Sequence, residues 1–128
     1  MTKPTVKIEN FDIETELQCR CGCGKFNYDD SFLIRLQAFR YLIDEKLTVT
    51  SGCRCINHNK NVGGVNTSLH QCETKKAAAI DVTNSNCQNI YTKACNSGLF
   101  NEVIFYKKKN IVHLGWDKNQ SGNYFIQK

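Results

Sequence analysis

Residues 51–82 read SGCRCINHNKNVGGVNTSLHQCETKKAAAIDV, and the rest of the chain is organised around this stretch. Its first turn leads into a glycine-rich loop and then to His70, and a run of small residues ends on Asp81. A further histidine, His113, follows far downstream in a segment whose alternating apolar residues are typical of a β-strand. Histidine and carboxylate donors are the set that zinc uses in hydrolases. One interpretation is therefore that His70, Asp81 and His113 hold one zinc ion.

The residues alone leave a second interpretation open. His70 and Asp81 lie eleven positions apart, which is not a spacing that by itself indicates chelation. A single histidine in a strand is usually an ordinary half-buried residue, and a strand-end aspartate often caps the next turn. On the predicted strand, however, His113 shares a face with Gly115, and a residue without a side chain leaves room for an ion.

The composition predicts one folded domain, residues 1–128, with no membrane span. Hydrophobic residues make up 41% of the 128, which is enough for a core, and no apolar run approaches the roughly 18 residues that a span needs. The N-terminal residues lack the apolar core of a signal peptide. We therefore expect either a mature fragment behind a start methionine or export by another route.

The charge balance is mildly basic, with 17 lysines and arginines against 12 acidic residues, a net charge of +5. The run at residues 107–109 lies between two predicted strands and is typical of a solvated hairpin turn. No aromatic and basic residues alternate to form a stacking platform, so nucleic acid is not a predicted partner. The charge suits anionic cell-wall polymers, and we expect a monomer.

The chain has eight cysteines, which is many for its length, and they admit disulfides or a second metal site. Two groups have a single residue between neighbouring cysteines. In a strand such residues point the same way, about 7 Å apart, which suits cross-links to other segments better than chelation of one ion. Disulfides are therefore favoured, and they predict a secreted or periplasmic protein. The cysteines are at positions 19, 21, 23, 53, 55, 72, 87 and 95.

Periodicity predicts separate helices and antiparallel strands, and hence an α+β fold with a small central antiparallel sheet flanked by helices. Apolar residues alternate within residues 1–18, which favours a leader strand or loop, and residues 19–28 are predicted to be an irregular loop held by cross-links. The alanines of residues 77–79 favour a helix, but the alternation around Asp81 favours a strand, which we prefer. The predicted helices are 30–45 and 86–97 with Gly98 as C-cap, the strands are 47–50, 78–83, 102–107, 111–116 and 123–126, and 56–67 is a loop.

Several short motifs follow one another along the chain. They are, in order, Cys21-Gly-Cys23-Gly, Ser51-Gly-x-Arg54-Cys55, His58-Asn59, Gly63-Gly64, Ser68-x-His70, Ala79-x-Asp81 and Val112-His113. Together they resemble the zinc D-Ala-D-Ala carboxypeptidase family, and the chain is similar to the small peptidase M15-like domains of phage endolysins and murein endopeptidases over roughly residues 10–117. The resemblance implies a fold related to Hedgehog domains and DD-peptidases and, as an alternative to secretion, a phage-encoded protein released at lysis.

The resemblance also implies roles for individual residues. The histidine of Ser-x-His, the aspartate of Ala-x-Asp and the late histidine would bind zinc, which assigns His70, Asp81 and His113. Arg54 would contact the substrate and stabilise charge on its carbonyl oxygen, with a surface ion pair as the other interpretation. Ser68 and Trp116 are the further predicted substrate-binding residues.

The chain departs from the family pattern at three places. The histidine and aspartate are usually seven positions apart with a glycine between them, whereas here residues 71–76 enlarge the loop and Ala77 occupies the place of the glycine. Many members carry an acidic general base three residues before the last histidine, where this chain has Asn110, and an amide does not accept a proton. The position two after that histidine, often acidic or histidine, is Gly115. Asp117 is therefore the predicted base, although it also fits the start of a turn.

Three functions remain open from the sequence. The first is a zinc peptidase that cleaves stem-peptide or cross-link amide bonds of peptidoglycan. The second is a catalytically silent, zinc-bearing module that binds cell wall or has a structural role after secretion. The third is a cysteine-stapled domain without a metal.

Overall fold

The computed structural model describes residues 8–12, 15–65 and 67–128. Within this part of the chain the structure combines helices with one mixed sheet, which confirms the predicted α+β fold. None of these helices is long and apolar enough to cross a bilayer. The helices are α1 (Asp30–Ile43), α2 (Ile56–Asn61) and α3 (Cys87–Ser97), and the strands are β1 (Thr48–Ser51), β2 (Ala79–Thr83), β3 (Glu102–Tyr106), β4 (Ile111–Gly115) and β5 (Tyr124–Gln127).

The sheet places β2 and β4 at its centre, in the order β1-β2-β4-β3-β5. Strands β1, β2, β4 and β3 pair antiparallel, as predicted, whereas β5 pairs parallel with β3 and makes the sheet mixed. The predicted hairpin is formed by β3 and β4, and Asn110 closes its turn with a left-handed backbone at φ 54°. An asparagine tolerates this conformation better than most residues.

Helix α1 buries its apolar face in the hydrophobic core that it shares with the sheet. The Asp29 side chain accepts a hydrogen bond from the backbone N–H of Phe32 and so caps the helix. The helix ends where Asp44 adopts a left-handed conformation. Burial of each large apolar side chain contributes roughly 1.5–3 kcal/mol. The buried apolar residues of α1 are Phe32, Leu33, Leu36, Phe39 and Ile43.

The alanine-rich segment before Asp81 forms strand β2, as its alternation predicted. Ile80 and Val82 are fully buried on the core face, whereas Asp81 points to the opposite face. Neighbouring strands on both sides supply backbone hydrogen bonds, so tertiary pairing overrides the helix propensity of the alanines.

The prediction of a loop over residues 56–67 is wrong at its beginning, where α2 forms. Its asparagines have low helix propensity, but tertiary caps compensate for this. The Cys55 sulfur accepts from the N–H of His58, and the Glu73 carboxylate accepts from the N–H of Ile56. Glu73 is distant in sequence, so no local pattern indicates the cap.

The prediction of a leader strand or loop over residues 1–18 falls partly on residues that the structure does not describe. These are residues 1–7 and 13–14, which include Val6 and Ile13. Among the described residues 8–12, Phe11 is buried in the core, and the segment forms bends and no strand.

The predicted disulfides are absent from the structure. All eight cysteines lie in the described ranges, and all are free thiols. Residues 20–23 form turns and not an extended strand, so the separation of about 7 Å assumed between neighbouring cysteines does not apply. Cys19 Sγ and Cys21 Sγ are 3.5 Å apart.

Candidate metal centre and active site

Strands β2 and β4 bring two of the predicted ligands together. Asp81 and His113 are direct cross-strand partners in the antiparallel ladder, so their side chains project from the same face of the sheet. His70 comes from the loop before β2. Its position is set by the backbone, because the Arg54 N–H donates to the His70 carbonyl at 2.6 Å and the Ala78 N–H donates to the Leu69 carbonyl at 2.8 Å.

The three side chains converge on one point. His70 Nε2 lies 3.2 Å from Asp81 Oδ1, His113 Nδ1 lies 3.1 Å from the same oxygen, and the two nitrogens are 3.2 Å apart. Donor atoms at zinc distances of roughly 2.0–2.2 Å in a tetrahedron would be about 3.4 Å from one another. The triangle therefore has the size and the chemistry of a three-ligand metal site with an open position.

A hydrogen bond from one ring nitrogen of His70 determines that the other nitrogen faces this point. His70 Nδ1 lies 2.8 Å from the carbonyl oxygen of Gly52, and a carbonyl only accepts hydrogen bonds. Nδ1 therefore carries the proton, and the lone pair of neutral His70 is on Nε2, toward Asp81. Metal-binding histidines usually donate their other N–H in this way.

His113 is oriented by a carboxylate that the sequence did not single out as a site residue. Its Nε2 lies 2.7 Å from Glu102 Oε1, which leaves Nδ1 to face Asp81 and His70. Glu102 is the direct cross-strand partner of Gly115, and the glycine leaves the space that the His113 ring occupies. The register of β3 and β4 places Glu102 diagonally from His113, and this register is known only from the structure.

Burial and hydrogen bonding give the three groups different proton affinities. Burial lowers the pKa of His70, and the hydrogen bond to Asp81 offsets this only in part. For His113, burial also lowers the pKa, but the hydrogen bonds to Asp81 and Glu102 outweigh it and raise the pKa to about 9. Burial alone would raise the pKa of Asp81, but hydrogen bonds from the two histidines hold it well below its usual range. In the metal-free protein at neutral pH, His113 is therefore an imidazolium between two carboxylates.

Arg54 lies beside the three candidate ligands. Its Nη2 is 3.6 Å from Asp81 Oδ2, and both side chains are about 15% exposed, 15% and 14% respectively. Its Nε donates to Ser51 Oγ at 3.2 Å. The ion pair therefore belongs to the site and does not lie on the open surface.

Asn59 is a second positioning residue that the sequence showed only as part of a motif. It is 1% exposed, and its amide group donates to the Val65 carbonyl at 2.7 Å and accepts from Arg54 Nη1 at 3.4 Å. A Cβ on Gly64 would lie 2.2 Å from Asn59 Oδ1. The second glycine of the Gly63-Gly64 pair is therefore required by the close approach of Asn59, which in turn holds Arg54.

The candidate centre opens into a cavity of about 740 Å³. Ser68 lies in its wall, and its hydroxyl accepts from the His70 N–H at 3.2 Å. Three cations, Arg54, Lys109 and Lys128, also line it. Three carboxylates line it as well: Asp81 and Glu102 are engaged by the histidines, and Asp117 accepts from the N–H of Asn119. The lining therefore carries charges of both signs.

The model of the family described as Peptidase M15 matches residues 9–115. The chain belongs to the Peptidase M15 family. A comparison with curated proteins finds no match. Membership confirms the resemblance seen in the motifs and supports a peptidase, and His70, Asp81 and His113 are this M15 protein's candidate metal ligands.

The remaining predicted site residues of this M15 domain are Asp117 and Trp116. Asp117 lines the 740 Å³ cavity, and its Oδ1 accepts from the N–H of Asn119 at 2.9 Å, as in a turn cap. Trp116 lines a neighbouring cavity of about 300 Å³, and its ring stacks under the guanidinium of Arg35 at 3.5 Å. The side-chain amide of Asn110, which lies in the β3–β4 turn, donates to the carbonyl of Asn84 just after β2 at 3.3 Å. The structure therefore brings Arg54, Ser68, Asp117 and the three ligands to the 740 Å³ cavity, and Trp116 lies outside its lining.

The enlarged loop at residues 71–76 leaves the ligand geometry of this M15 domain intact. Gln71 is 4% exposed, and its side-chain oxygen Oε1 accepts from the backbone N–H groups of Glu73 and Thr74 at 2.5 and 2.8 Å. Cys72 is fully buried and its N–H donates to the Arg54 carbonyl at 2.9 Å. The extra residues thus form a turn around the Gln71 amide, and His70 still meets Asp81.

Proposed function

We propose that this protein is a zinc-dependent peptidase that cleaves amide bonds of peptidoglycan stem peptides or cross-links, as a D-Ala-type carboxypeptidase or endopeptidase. The observation that carries the proposal is the convergence of His70, Asp81 and His113, with Arg54 beside them, at the base of an open cavity. The donor set fits zinc because it combines two imidazole nitrogens with one carboxylate oxygen.

The residues of the chain divide the remaining work. Zinc held by the three ligands would supply Lewis acidity, which lowers the pKa of water and polarises a carbonyl group. Arg54 is placed to donate to the substrate oxygen on which negative charge develops, or to a substrate carboxylate. Asn59 and Ser51 hold the guanidinium in place, so that little reorganisation is needed when the substrate binds.

The cations of the cavity support a substrate with a free carboxylate. Arg54, Lys109 and Lys128 line its wall, and Lys109 and Lys128 each lie 5.8 Å from the ring of Tyr106. A stem peptide that ends in a carboxylate is drawn to such a wall, more strongly at low ionic strength. This charge favours peptidoglycan peptides over uncharged or basic peptides.

Two carboxylates are candidates for accepting the proton of the attacking water. Asp117 is the one predicted from the sequence. We favour Glu102, because it lies opposite Gly115, where many family members carry an acidic residue, and because its oxygen reaches His113 at 2.7 Å. In this proposal Glu102 also positions His113, whereas Asp117 contributes to the lining of the cavity.

Digestion of purified muropeptides, followed by mass spectrometry, tests the function. We expect new amine termini with the wild-type protein and zinc, and none with His70→Ala. Arg54→Lys keeps the charge but not the two-pronged geometry, so we expect kcat/KM to fall by about 10²-fold. Cleavage that persists unchanged in His70→Ala would refute the assignment.

A catalytically silent, zinc-bearing module is the second candidate. It is favoured by the position of Asn110, whose side chain donates to Thr83 and Asn84 at the end of β2 and not to the ligands. Its signature would be zinc retained through His70 and Asp81, with pull-down on purified cell walls and no new termini in the muropeptide digest.

A further inference from the structure

Four cysteine sulfurs lie together away from the His–Asp centre. The Sγ atoms of Cys19, Cys21, Cys23 and Cys55 are all within 4.8 Å of one another. Cys19 Sγ and Cys21 Sγ are 3.5 Å apart, and Cys21 Sγ and Cys55 Sγ are 3.7 Å apart. Four sulfurs bound tetrahedrally to zinc at about 2.3 Å are about 3.8 Å from one another, whereas a disulfide requires about 2.05 Å. The separations match a shared ion and not a cross-link.

The backbone of residues 20–23 explains how such close spacing is achieved. This segment folds into turns, and Gly22 and Gly24 adopt positive φ values of 92° and 73°. Glycine reaches this conformation without a steric penalty. The turns direct the side chains of Cys19, Cys21 and Cys23 toward one point, although a strand would separate them.

Backbone N–H groups point at the sulfurs. The N–H of Cys55 lies 3.3 Å from Cys19 Sγ, that of His58 lies 3.4 Å from Cys55 Sγ, and that of Lys25 lies 3.5 Å from Cys23 Sγ. Neutral thiols are weak acceptors, whereas thiolates bound to a metal gain from such donors, which also orient the ligands. These contacts are independent of the sulfur–sulfur distances, and they favour anionic sulfur.

We propose that Cys19, Cys21, Cys23 and Cys55 form a second metal site that binds one thiophilic divalent cation, with zinc as the expected ion. On binding, the four thiols release four protons to solvent, and four sulfur–metal bonds form without any change of oxidation state. The resulting charge of −2 is stabilised by the three N–H donors. Cys21 and Cys23 are exposed, which gives the ion an entry path.

The second site would brace the segment that carries Arg54. Cys55 is the N-cap of α2 and follows Arg54 directly, whereas the other three cysteines belong to the N-terminal segment. These segments already pack closely: the N–H of Cys53 donates to the Leu17 carbonyl at 3.1 Å, and a Cβ on Gly52 would lie 2.4 Å from that oxygen. The ion would link the N-terminal segment to the segment of Arg54 near the exposed cysteines, Cys21 and Cys23.

Metal analysis of the full chain, purified in reducing buffer without added metal, tests the proposal. We expect about two equivalents of metal in the wild type and about one in Cys21→Ser/Cys23→Ser, whose exposed positions spare the core. Asp81→Asn should lose the other equivalent. Cys95→Ser is the matched control, because Cys95 lies outside the cluster, and it should keep about two.

Cobalt exchange identifies the ligands without reference to activity. The wild type and Asp81→Asn should show intense sulfur-to-cobalt charge-transfer bands, and Cys21→Ser/Cys23→Ser should not. Visible absorption of the protein as purified would support the thiolate site with iron as its ion. The proposal is overturned if the double variant keeps the wild-type metal content, if cobalt gives no sulfur band, or if peptide mapping finds these cysteines cross-linked. Because these readouts separate the two sites, the result does not depend on whether the protein is a peptidase.

Discussion

Substitution of Glu102 by glutamine tests how the candidate centre is tuned. Glu102 Oε1 lies 2.7 Å from His113 Nε2, and this contact helps to raise the pKa of His113 to about 9 against an ordinary 6.5. Glutamine keeps the size of the side chain but removes the charge. We therefore expect the pKa of His113 in the metal-free protein to fall toward 6.5 in Glu102→Gln, while that of the wild type stays near 9.

The shift has a consequence for metal affinity. A metal must displace the proton on His113, so at pH 7.5, about 1.5 pH units below the wild-type pKa, this competition weakens binding about 30-fold. The affinity of the wild type for metal should therefore rise with pH up to about pH 9. Over this range its pH dependence should be steeper than that of Glu102→Gln by one proton released per metal ion bound. Loss of the orienting carboxylate acts in the opposite direction and costs about 10–100-fold in affinity at every pH.

Two measurements on the same proteins check this reasoning. Nitrogen-detected NMR titration of His113 after chelation gives its pKa, and competition with a chelating dye between pH 6.5 and 9.5 gives the affinity. The control is Asp117→Asn, which also removes a carboxylate from the lining of the cavity. The Asp117 carboxylate accepts from the N–H of Asn119 and not from a histidine, so this variant should leave the pKa of His113 unchanged. A wild-type His113 that titrates near 6.5, or equal pH slopes in Glu102→Gln and the wild type, would refute the role of Glu102.

Three further predictions concern the surrounding structure. Gly64→Ala places a Cβ 2.2 Å from Asn59 Oδ1, so we expect about 1–3 kcal/mol of destabilisation in urea unfolding and a loss of kcat/KM as Arg54 loses its support. Leu114→Ala empties a fully buried position on the core face of β4, so unfolding should show a loss of about 2–5 kcal/mol, with metal content unchanged. In metal-free protein, stabilisation from His113 is complete below pH 6.5 and is lost as pH rises through about 9, by about 3 kcal/mol, and denaturation across this range should show the decline. Protein whose stability stays flat from pH 6.5 to 9 would contradict this.

The fold was largely predictable because its signals are local. Helix α1 has a capping aspartate and a continuous apolar face, and the β3–β4 hairpin alternates clearly around its lysine turn. The signals that failed were non-local or conformational. Helix α2 depends on Glu73, seventeen residues from the N–H group it accepts from, and the cysteine spacing depends on glycine dihedrals that the sequence does not show.

The candidate site was predictable to a different depth for each residue. Motifs indicated the metal ligands and Arg54, because residue type and order are enough to suggest them. Glu102 and Asn59 act through contacts across the hairpin and across a loop, so they appear only when register and packing are known. A sequence pattern therefore named the groups that bind but not the groups that orient them.

The enlarged loop shows why the metal centre tolerates a change in ligand spacing. Asp81 and His113 are fixed by direct pairing of β2 and β4, which does not depend on the length of any loop. His70 is fixed from its own side, through the Arg54 N–H to its carbonyl and through the Gly52 carbonyl to its ring. Both ends of residues 71–76 are thus held by contacts outside the loop, and its extra residues turn around Gln71. Spacing in sequence constrains a metal site only where the chain between the ligands also positions them, and here it does not.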